Sequence, residues 1–340
     1  MTKRYSPPFV NTPAIVALIA DIAERAGRYA VATESSAALR LRRINRIRTI
    51  QGSLAIEGNT LDEHQITAIL EGKPVIAPPR EIQEVRNAIL AYEQFEIWDP
   101  TNEEDLLAAH ALLMVGLVDR PGAYRSGGVG VMAGSTVVHM APPANRVPVL
   151  MADLFGWLQR SDDHPLIASC VFHYEFEFIH PFDDGNGRMG RLWQTLILSR
   201  WRPLFAHLPV ESIIHAHQDD YYRALHDSTE QGVAATPFIE FMLGVIRVAL
   251  TDQATEQVTE QVTEQVARLL LEIGDDQFSA KELMKRVGLS HRPTFLYDYL
   301  QPALAGGWLE MTHPDTPKSP RQRYRLTRAG KQFALSLSDE

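Results

Sequence analysis

The turn at residues 180–191 is the sequence feature that most constrains the fold of this chain. It reads His-Pro-Phe-Asp-Asp-Gly-Asn-Gly-Arg-Met-Gly-Arg. An apolar helical pattern runs into it over residues 166–178. A second helical pattern follows it at once, with an apolar face made of Leu192, Trp193, Leu196 and Ile197. The centre of the chain is therefore predicted to be helix, turn, helix.

The spacing of apolar residues also predicts that most of residues 11–250 are helical. Apolar residues recur at helical spacing at Ile15, Leu18, Ile19 and Ile22, and again at Ile44, Ile47, Ile50 and Leu54. Residues 80–98 and 103–117 repeat the pattern and are separated by Pro100. The fold class is therefore mainly α.

Residues 121–147 break this rhythm, because five glycines fall within them. Apolar residues at 129 and 131, and at 137 and 138, flank Ala133-Gly134-Ser135. This pattern predicts a short β-hairpin in an otherwise helical region.

The C-terminal quarter has a different pattern. Residues 255–266 repeat Thr-Glu-Gln-Val three times, which predicts a connecting helix with one edge buried at Val258, Val262 and Val266. A dimer contact through this edge is the alternative. Helices are then predicted at 278–287 and 292–304, and strands at 308–311 and 323–326. This is the layout of a winged helix.

These patterns divide the chain into four parts. Residues 1–100 form an N-terminal helical region, and residues 101–250 form a central core that contains the turn. Residues 251–270 form the connecting helix, and residues 271–340 form the winged-helix domain.

Composition limits the classes of function. The chain has 340 residues, is 45% hydrophobic and carries a formal net charge of −9, which argues against a surface that grips nucleic acid or acidic membrane throughout. Its single cysteine, Cys170, forms no intrachain disulfide. No apolar stretch has the length of a membrane span or the layout of a signal peptide. We therefore expect a cytoplasmic protein.

The turn carries residue types suited to phosphate chemistry. Glycines at a helix start let backbone N–H groups approach an anion, and the helix dipole favours negative charge there. Arg188 and Arg191 are three residues apart and can clamp phosphate oxygens. Asp184 would repel phosphate unless a divalent cation such as Mg²⁺ lies between them. His180 stands at the mouth of the loop, where it can take a proton from a hydroxyl.

The twelve residues resemble the signature of the Fic family, His-Pro-Phe-x-(Asp/Glu)-Gly-Asn-Gly-Arg-x-x-Arg, at every specified position. Residues 122–125 and 142–148 resemble the family's segments around its target-docking hairpin. The pair Tyr221-Tyr222 resembles a downstream pair near the nucleotide base. With the N-terminal helical region and the C-terminal domain, the resemblance covers most of the chain.

The resemblance implies a protein adenylyltransferase that moves AMP from ATP to a Ser, Thr or Tyr hydroxyl of a target protein, which is either another protein or the chain itself. His180 would be the general base, and Asp184 would hold Mg²⁺. Phe182 would anchor the loop in the core. The implied nucleotide-binding residues are Asp184, Gly185, Asn186, Gly187, Arg188, Gly190, Arg191 and Tyr222. Arg191 would hold the γ-phosphate. Doc-type kinases of the family depart from the Gly-Asn-Gly stretch and this sequence does not, which favours AMP.

Residues 53–59, Ser-Leu-Ala-Ile-Glu-Gly-Asn, resemble the family's inhibitory motif. The resemblance implies that Ser53 and Glu57 belong to this inhibitory motif and that Glu57 pairs with Arg191, which would misdirect ATP. Two other interpretations stay open. Glu57 is either a surface acid near a helix end, or a residue that positions water for removal of AMP.

Three kinds of partner are expected. A target protein would dock on the hairpin at 129–139 by strand addition. Residues 275–331 hold ten Lys or Arg against six Asp or Glu, so the C-terminal domain either binds DNA or docks protein. A homodimer is plausible from the resemblance. The competing hypothesis for the whole chain is a DNA-binding regulator whose Fic domain senses nucleotide.

Overall fold

The chain divides into two compact units, Met1–Ala254 and Thr255–Glu340. The computed structural model describes residues 5–31, 36–133, 136–230, 234–260, 264–274, 276–314, 316, 319 and 321–336. The finer division predicted from the sequence, with a boundary at 100 and a connecting helix at 251–270, stays a prediction.

The first unit is mostly helical, as predicted. Its helices are α1 (Pro13–Val31), α2 (Ser36–Ile56), α3 (Glu63–Leu70), α4 (Pro79–Glu93), α5 (Glu103–Met114), α6 (Val147–Leu158), α7 (Pro165–Ile179), α8 (Asn186–Trp201), α9 (Val210–Ala216), α10 (Gln218–Glu230) and α11 (Thr236–Glu260), the last of which runs past the division. Short 3₁₀ turns lie at Phe95–Ile97, Ala144–Arg146 and Pro203–His207.

The predicted hairpin is present. Strand β1 (Gly130–Ala133) pairs antiparallel with β2 (Thr136–Met140). Gly130 lies opposite Met140 and Ala133 lies opposite Thr136, with an irregularity in register after Val131. The predicted turn residues Gly134 and Ser135 fall outside the described residues.

Helices α7 and α8 form the centre of the first unit. Nearly every residue of α7 is buried, including Phe172 and Phe176, and the predicted apolar face of α8 is buried as well. Gly190 makes the close approach possible, because a Cβ there would lie 2.8 Å from Glu177 Oε1 and from His173 Cδ2. The turn at 180–191 is thereby fixed between two helices in the core.

Helix α2 is held against α9 at a second glycine. A Cβ at Gly52 would lie 2.6 Å from the Ser212 backbone nitrogen, so no larger side chain fits without moving a helix. The Ser212 hydroxyl donates to the Arg48 carbonyl (2.9 Å), which ties the two helices together. This packing sets the position of Ser53 and Glu57 at the end of α2.

The second unit has its own core. Its elements are α12 (Glu264–Ile273), α13 (Ala280–Arg286), α14 (Arg292–Thr294), a π-helical segment (Phe295–Leu300), α15 (Gln301–Ala305), β3 (Leu309–Met311), β4 (Tyr324–Leu326) and α16 (Arg328–Ser336). The helix from α14 to α15 is continuous, and β3 pairs antiparallel with β4. The element order up to β4 is the predicted one, whereas α16 was not predicted. The assignment as a winged helix stays a prediction.

Two details of this unit bear on the sequence predictions. The helix expected to start at Phe278 starts at Ala280, because Ser279 caps it and Phe278 exchanges two backbone hydrogen bonds with Tyr324. Val266 of the repeat is buried as predicted, and Val262 lies outside the described residues. No helix in the described ranges is both long enough and apolar enough to cross a bilayer.

Candidate active site

The loop between α7 and α8 begins with a residue in an unfavourable backbone conformation. His180 has φ 50° and ψ 62°, and no other non-glycine residue has a positive φ in the described part of the chain. Two hydrogen bonds hold it there. The His180 N–H donates to the Phe176 carbonyl (2.9 Å), and the His180 carbonyl accepts from Arg125 Nε (2.7 Å). Such strain persists only where neighbours enforce it, and it is concentrated at functional sites.

The other end of the loop forms the start of α8. Gly185 takes φ 85°, and no side chain in the described ranges caps the helix. A Cβ at Gly185 would lie 2.6 Å from Met114 Sδ, so glycine is required by both conformation and space. The first N–H groups of α8 therefore face the loop uncapped, which suits an anion.

Phe182 and Asn186 fix the shape of the loop between these ends. Phe182 is fully buried, as predicted, and the Asn186 side chain hydrogen-bonds both its N–H (2.8 Å) and its carbonyl (2.9 Å). The phosphate contact implied for Asn186 stays a prediction. Its observed role is to close the turn.

His110 of α5 supports the loop, a role that no sequence pattern predicted. Its ring stacks on Phe182 with centroids 3.6 Å apart. Nδ1 accepts from the Gly122 N–H (2.8 Å), so Nε2 carries the proton and donates to the Asp184 carbonyl (3.0 Å). Burial lowers the pKa of His110 to about 4, which keeps it neutral.

Arg125 connects the loop to the hairpin. Besides the His180 carbonyl, its guanidinium donates to the Gly127 carbonyl (2.8 Å), the Pro142 carbonyl (2.5 Å) and the Ile179 carbonyl (3.2 Å). The resemblance included Arg125 without giving it a role. Its five-donor fork joins the end of α7 to both segments that flank the strands.

Arg191 is paired with the end of α2, as the resemblance implies. Its Nη2 donates to Glu57 Oε1 (2.8 Å) and to the Ser53 carbonyl (2.9 Å), and its Nε donates to Ser53 Oγ (3.2 Å). The Arg191 side chain is 1% exposed, whereas that of Glu57 is 34% exposed. The pair therefore joins a buried cation to a carboxylate that reaches the loop.

The Glu57 carboxylate also occupies space directly in front of Gly187. A Cβ at Gly187 would lie 2.3 Å from Glu57 Oε1 and 2.9 Å from Arg191 Nη1. Gly187 is the second residue of α8, so a carboxylate oxygen already lies at the uncapped start of this helix.

Arg188 and Asp184 belong to a second group of charged side chains, which is separate from the pair of Glu57 and Arg191. Arg188 Nη2 donates to Asp184 Oδ1 (3.0 Å), and Arg80 Nη2 donates to Asp184 Oδ2 (3.0 Å). Arg188 is nearly buried, and its Nε is a buried donor without a partner among the described residues.

Asp184 fits the role implied for Mg²⁺ only as one ligand among several. Its side chain is 40% exposed, and the described residues contain no group of three His, Cys, Asp or Glu able to hold a metal. Magnesium is commonly held by one carboxylate together with substrate phosphates and water. The donor set fits a metal that arrives with a nucleotide.

Two residues implied by the resemblance lie at the edges of this site. Gly190 faces Glu177 and His173 of α7, where it permits close packing. Tyr222 of α10 is half-buried, and Gln218 connects it to α2 by donating to Tyr222 Oη (3.4 Å) and to the Ile56 carbonyl (3.0 Å). Nucleotide contacts by either residue stay predictions.

Comparison with known proteins places this geometry in a family. Residues 100–198 match the model of the Fic/DOC family, and residues 264–327 match that of the Fic-like C-terminal domain. A crystal structure of a Fic family protein from Desulfovibrio desulfuricans G20 is 60% identical, with a TM-score of 0.73 over 95% of this chain and 99% of that one. The chain belongs to the Fic family.

Other Fic proteins are more distant. The structure of Fic-1 (residues 134–508) from Caenorhabditis elegans is 22% identical, with a TM-score of 0.62 over 72% of this chain and 73% of that one, which shows the Fic fold alone. A protein named "Protein adenylyltransferase Fic" from Culex quinquefasciatus is 31% identical over 209 residues, 58% of this chain and 39% of that protein. A relative of the same name from Nematostella vectensis is 29% identical over 57% of this chain and 45% of its own length. This chain thus spans about two fifths of these curated relatives.

Proposed function

We propose that this Fic protein transfers AMP from ATP to a hydroxyl side chain of a target protein. The observation that carries the proposal is one loop that joins His180 to an uncapped helix start, with the Arg188 guanidinium hydrogen-bonded to Asp184 of the same loop. A base and an anion site in one rigid turn are what phosphoryl-group transfer to a hydroxyl requires. The names of the relatives at about 30% identity support AMP as the group.

In the proposed reaction, the target hydroxyl gives its proton to His180 while its oxygen attacks the α-phosphorus of ATP. The bond to the β-phosphate oxygen breaks, and pyrophosphate leaves. The first N–H groups of α8 and the Arg188 guanidinium stabilise the charge on the phosphate oxygens. Asp184 would hold Mg²⁺, which would neutralise part of the phosphate charge.

We further propose that Glu57 inhibits this reaction. Its carboxylate pairs with Arg191 and lies in front of Gly187, so it competes with an ATP phosphate for the same donors. Release of Arg191 would let the guanidinium bind the γ-phosphate and direct the α-phosphorus toward His180.

A mass measurement tests both proposals. Wild type, Glu57→Gly, Glu57→Gln and His180→Ala are incubated with ATP and Mg²⁺, alone and with cell lysate. We expect an AMP adduct that is weak in wild type, at least about tenfold stronger in Glu57→Gly, and absent in His180→Ala. Glu63→Gln is the matched control, because this exposed acid of α3 lies 3.8 Å from Arg48 and outside the site.

Other results would replace the proposals. A phosphate adduct keeps the site and changes the reaction. Equal activity of wild type and Glu57→Gly means that Glu57 is not the inhibitor. No adduct in any sample that binds ATP favours AMP removal or a nucleotide-sensing regulator.

Removal of AMP is the second candidate, because the Glu57 carboxylate is one third exposed beside the α8 start. In this reaction the Glu57 carboxylate would position a water that attacks the phosphorus of the AMP group. The bond between phosphorus and the side-chain oxygen of the target would break, and His180 would give a proton to that oxygen. Release of AMP from a modified target by wild type, and not by Glu57→Gln, would support this function.

Docking of the target on the hairpin is proposed on the basis of Arg125. This side chain ties the flanks of β1 and β2 to the His180 carbonyl, so the hairpin has a fixed distance to the proposed base. An extended segment added to the edge of the two-stranded sheet would be presented to His180 largely through its backbone.

A further inference from the structure

Glu177 of α7 lies one turn before His180 and takes no part in the reaction proposed for the loop. Its Oε2 is 4.0 Å from His180 Nδ1. Glu177 is 9% exposed, and both its Oε1 and His180 Nδ1 are buried atoms without a hydrogen-bond partner among the described residues. The buried His180 Nδ1 thus has no hydrogen-bond partner among the described residues while Glu177 Oε2 lies 4.0 Å away, and leaving a buried polar atom unpaired costs free energy.

His173, the other histidine beside Glu177, already has hydrogen-bond partners for both of its ring nitrogens. His173 Nδ1 lies 2.6 Å from Gln194 Oε1, and the Gln194 amide nitrogen donates to Cys170 Sγ, which fixes the amide orientation. His173 Nδ1 is therefore the donor, and its Nε2 accepts from the Tyr221 hydroxyl (3.2 Å). With both ring nitrogens engaged, His173 has no proton to offer the Glu177 carboxylate, which lies 3.7 Å away.

The charges around Glu177 favour its ionised form. Burial raises the pKa of this carboxyl, but the neighbouring His173, His180 and Arg191 side chains outweigh burial and lower it. The groups that face Glu177 are His173, His180, Arg191 and Tyr221. An ionised carboxylate beside an imidazole accepts a hydrogen bond from whichever ring nitrogen carries the proton.

Hydrogen bonds hold the backbone of His180 in place, so its ring can move only by rotation about the side-chain torsions. Its N–H and carbonyl are both held, and its φ of 50° is fixed by those bonds. A shift of about 1 Å brings Nδ1 within hydrogen-bond distance of Glu177, and catalytic hydrogen bonds are often long until substrate is bound.

We propose that Glu177 is the positioning residue of the base: its carboxylate accepts a hydrogen bond from His180 Nδ1–H. The proton then sits on Nδ1, so Nε2 is left with its lone pair toward the loop. When Nε2 takes the hydroxyl proton, the ring becomes an imidazolium that Glu177 neutralises, and the Nδ1 proton stays in place. The catalytic role of Glu177 rests on the proposed function. Its effect on the tautomer of His180 rests on geometry alone.

The tautomer is measured first, because that readout needs no turnover. Histidine is labelled with ¹⁵N in the full chain, and the His180 signals are assigned by difference with His180→Asn. Wild type and Glu177→Gln, whose amide oxygen still accepts, are expected to hold the Nδ1-protonated form. Glu177→Leu is expected to shift His180 toward the Nε2-protonated form. An unchanged tautomer in Glu177→Leu overturns the proposal.

Kinetics in the Glu57→Gly background form the second arm. We expect Glu177→Leu to lower kcat roughly 100-fold and Glu177→Gln roughly tenfold, with KM for ATP within about twofold of the parent. A shifted tautomer with unchanged kcat would reject the catalytic part of the proposal.

Glu175→Leu is the matched control for both arms. Glu175 is a buried acid on the same helix, and its partner is the Tyr5 hydroxyl (2.6 Å). Its substitution should leave the His180 tautomer unchanged, and thermal unfolding of each variant reports any loss of folding. If no sample transfers AMP but the tautomer depends on Glu177, the proposed function is wrong and the positioning role stands.

Discussion

Arg191 donates three hydrogen bonds to residues at the C-terminal end of α2, and these bonds differ in strength. Glu57 supplies a charged acceptor, whereas Ser53 supplies a carbonyl and a hydroxyl. Hydrogen bonds to a charged partner contribute more than neutral ones, so the Glu57 contact dominates. The two residues should therefore have graded effects on the proposed inhibition.

Ser53→Ala removes only the hydroxyl acceptor and leaves the Ser53 carbonyl in place. A net contribution near 1 kcal/mol predicts that AMP transfer rises about threefold to fivefold, well below the effect of Glu57→Gly. Initial rates at saturating ATP check this. A rise equal to that of Glu57→Gly would mean that the hydroxyl, and not the carboxylate, holds Arg191.

At the residue scale, the sequence predicted the contacts of residues that belong to short contiguous motifs. The buried Phe182 and the Glu57–Arg191 pair were both expected, because short motifs give residue types at fixed spacing. His110 was missed, since it lies about seventy residues before the loop and matches no pattern. Asn186 has a local role that the motif alone did not show: it closes the turn on Phe182.

At the scale of elements, the position of α2 depends on the absence of a side chain at Gly52. The Cβ of an alanine would meet the backbone of Glu211 and Ser212 at 2.6–2.8 Å. Since backbone atoms cannot move aside as a side-chain end can, α2 and α9 must separate.

Gly52→Ala is therefore expected to lower the free energy of unfolding by about 2 kcal/mol despite the better helix propensity of alanine. Urea denaturation measures this. Gly27→Ala on α1 is the control: a Cβ there meets nothing within 4 Å, so stability should rise by about 0.5–1 kcal/mol. A stabilised Gly52→Ala would mean that the contact between α2 and α9 yields easily.

The basic side chains near β4 differ in how far their charges are already paired. Arg325 Nε lies 2.6 Å from Glu310 Oε1, and Arg323 Nη1 lies 3.6 Å from Glu282 Oε2. Arg321 is exposed and has no ion pair with another described residue. A sequence count of ten basic residues could not show that some of them are neutralised by neighbours.

For the predicted DNA binding, Arg321→Gln should weaken affinity across sequences and reduce the salt dependence by about one unit of slope. Arg325→Gln should have a smaller effect, because its charge is already paired. Fluorescence anisotropy over a salt series measures both. Absence of binding at low salt would contradict the DNA prediction and favour protein docking.

Helix and strand types were predicted well along the chain because apolar periodicity is strong and glycine and proline mark the breaks. The differences lie at the ends of elements and in the second unit, where neither α16 nor the π-helical segment Phe295–Leu300 was predicted. The start of α13 was placed two residues early, since Phe278 looks like the first apolar residue of a helix but extends the sheet by pairing with Tyr324. Such long-range pairing has no local signal.

At the scale of the whole molecule, buried ionisable groups set the dependence of stability on pH. Burial raises the pKa of Glu175 and of Glu211 to about 7. Burial lowers the pKa of His110 and of His207 to about 4. The two acids stabilise the fold at low pH and lose that contribution as pH rises toward 7. The two histidines stabilise the fold at neutral pH and lose that contribution as pH falls toward 4. Removal of one group should therefore change how the free energy of unfolding depends on pH.

Glu175→Gln isolates one of these contributions. The unfolded chain releases the Glu175 proton near pH 4.3 and the native state near 7, so wild type loses stability through this window. The variant should gain about 2–3 kcal/mol relative to wild type between pH 5 and 7.5. Urea denaturation at the two pH values tests this, with exposed Glu96→Gln as the control. A gain that is the same at both pH values would mean that Glu175 is ionised throughout.

The contact between Glu57 and Arg191 joins two helices of the same compact unit. It behaves as a tethered ligand whose effective concentration is set by the fold and not by the amount of protein in solution. Dilution therefore leaves its occupancy unchanged, and the activity per molecule should be the same at nanomolar and micromolar protein. Only something that moves α2, or that binds Arg191 more tightly than a tethered carboxylate does, can free the guanidinium.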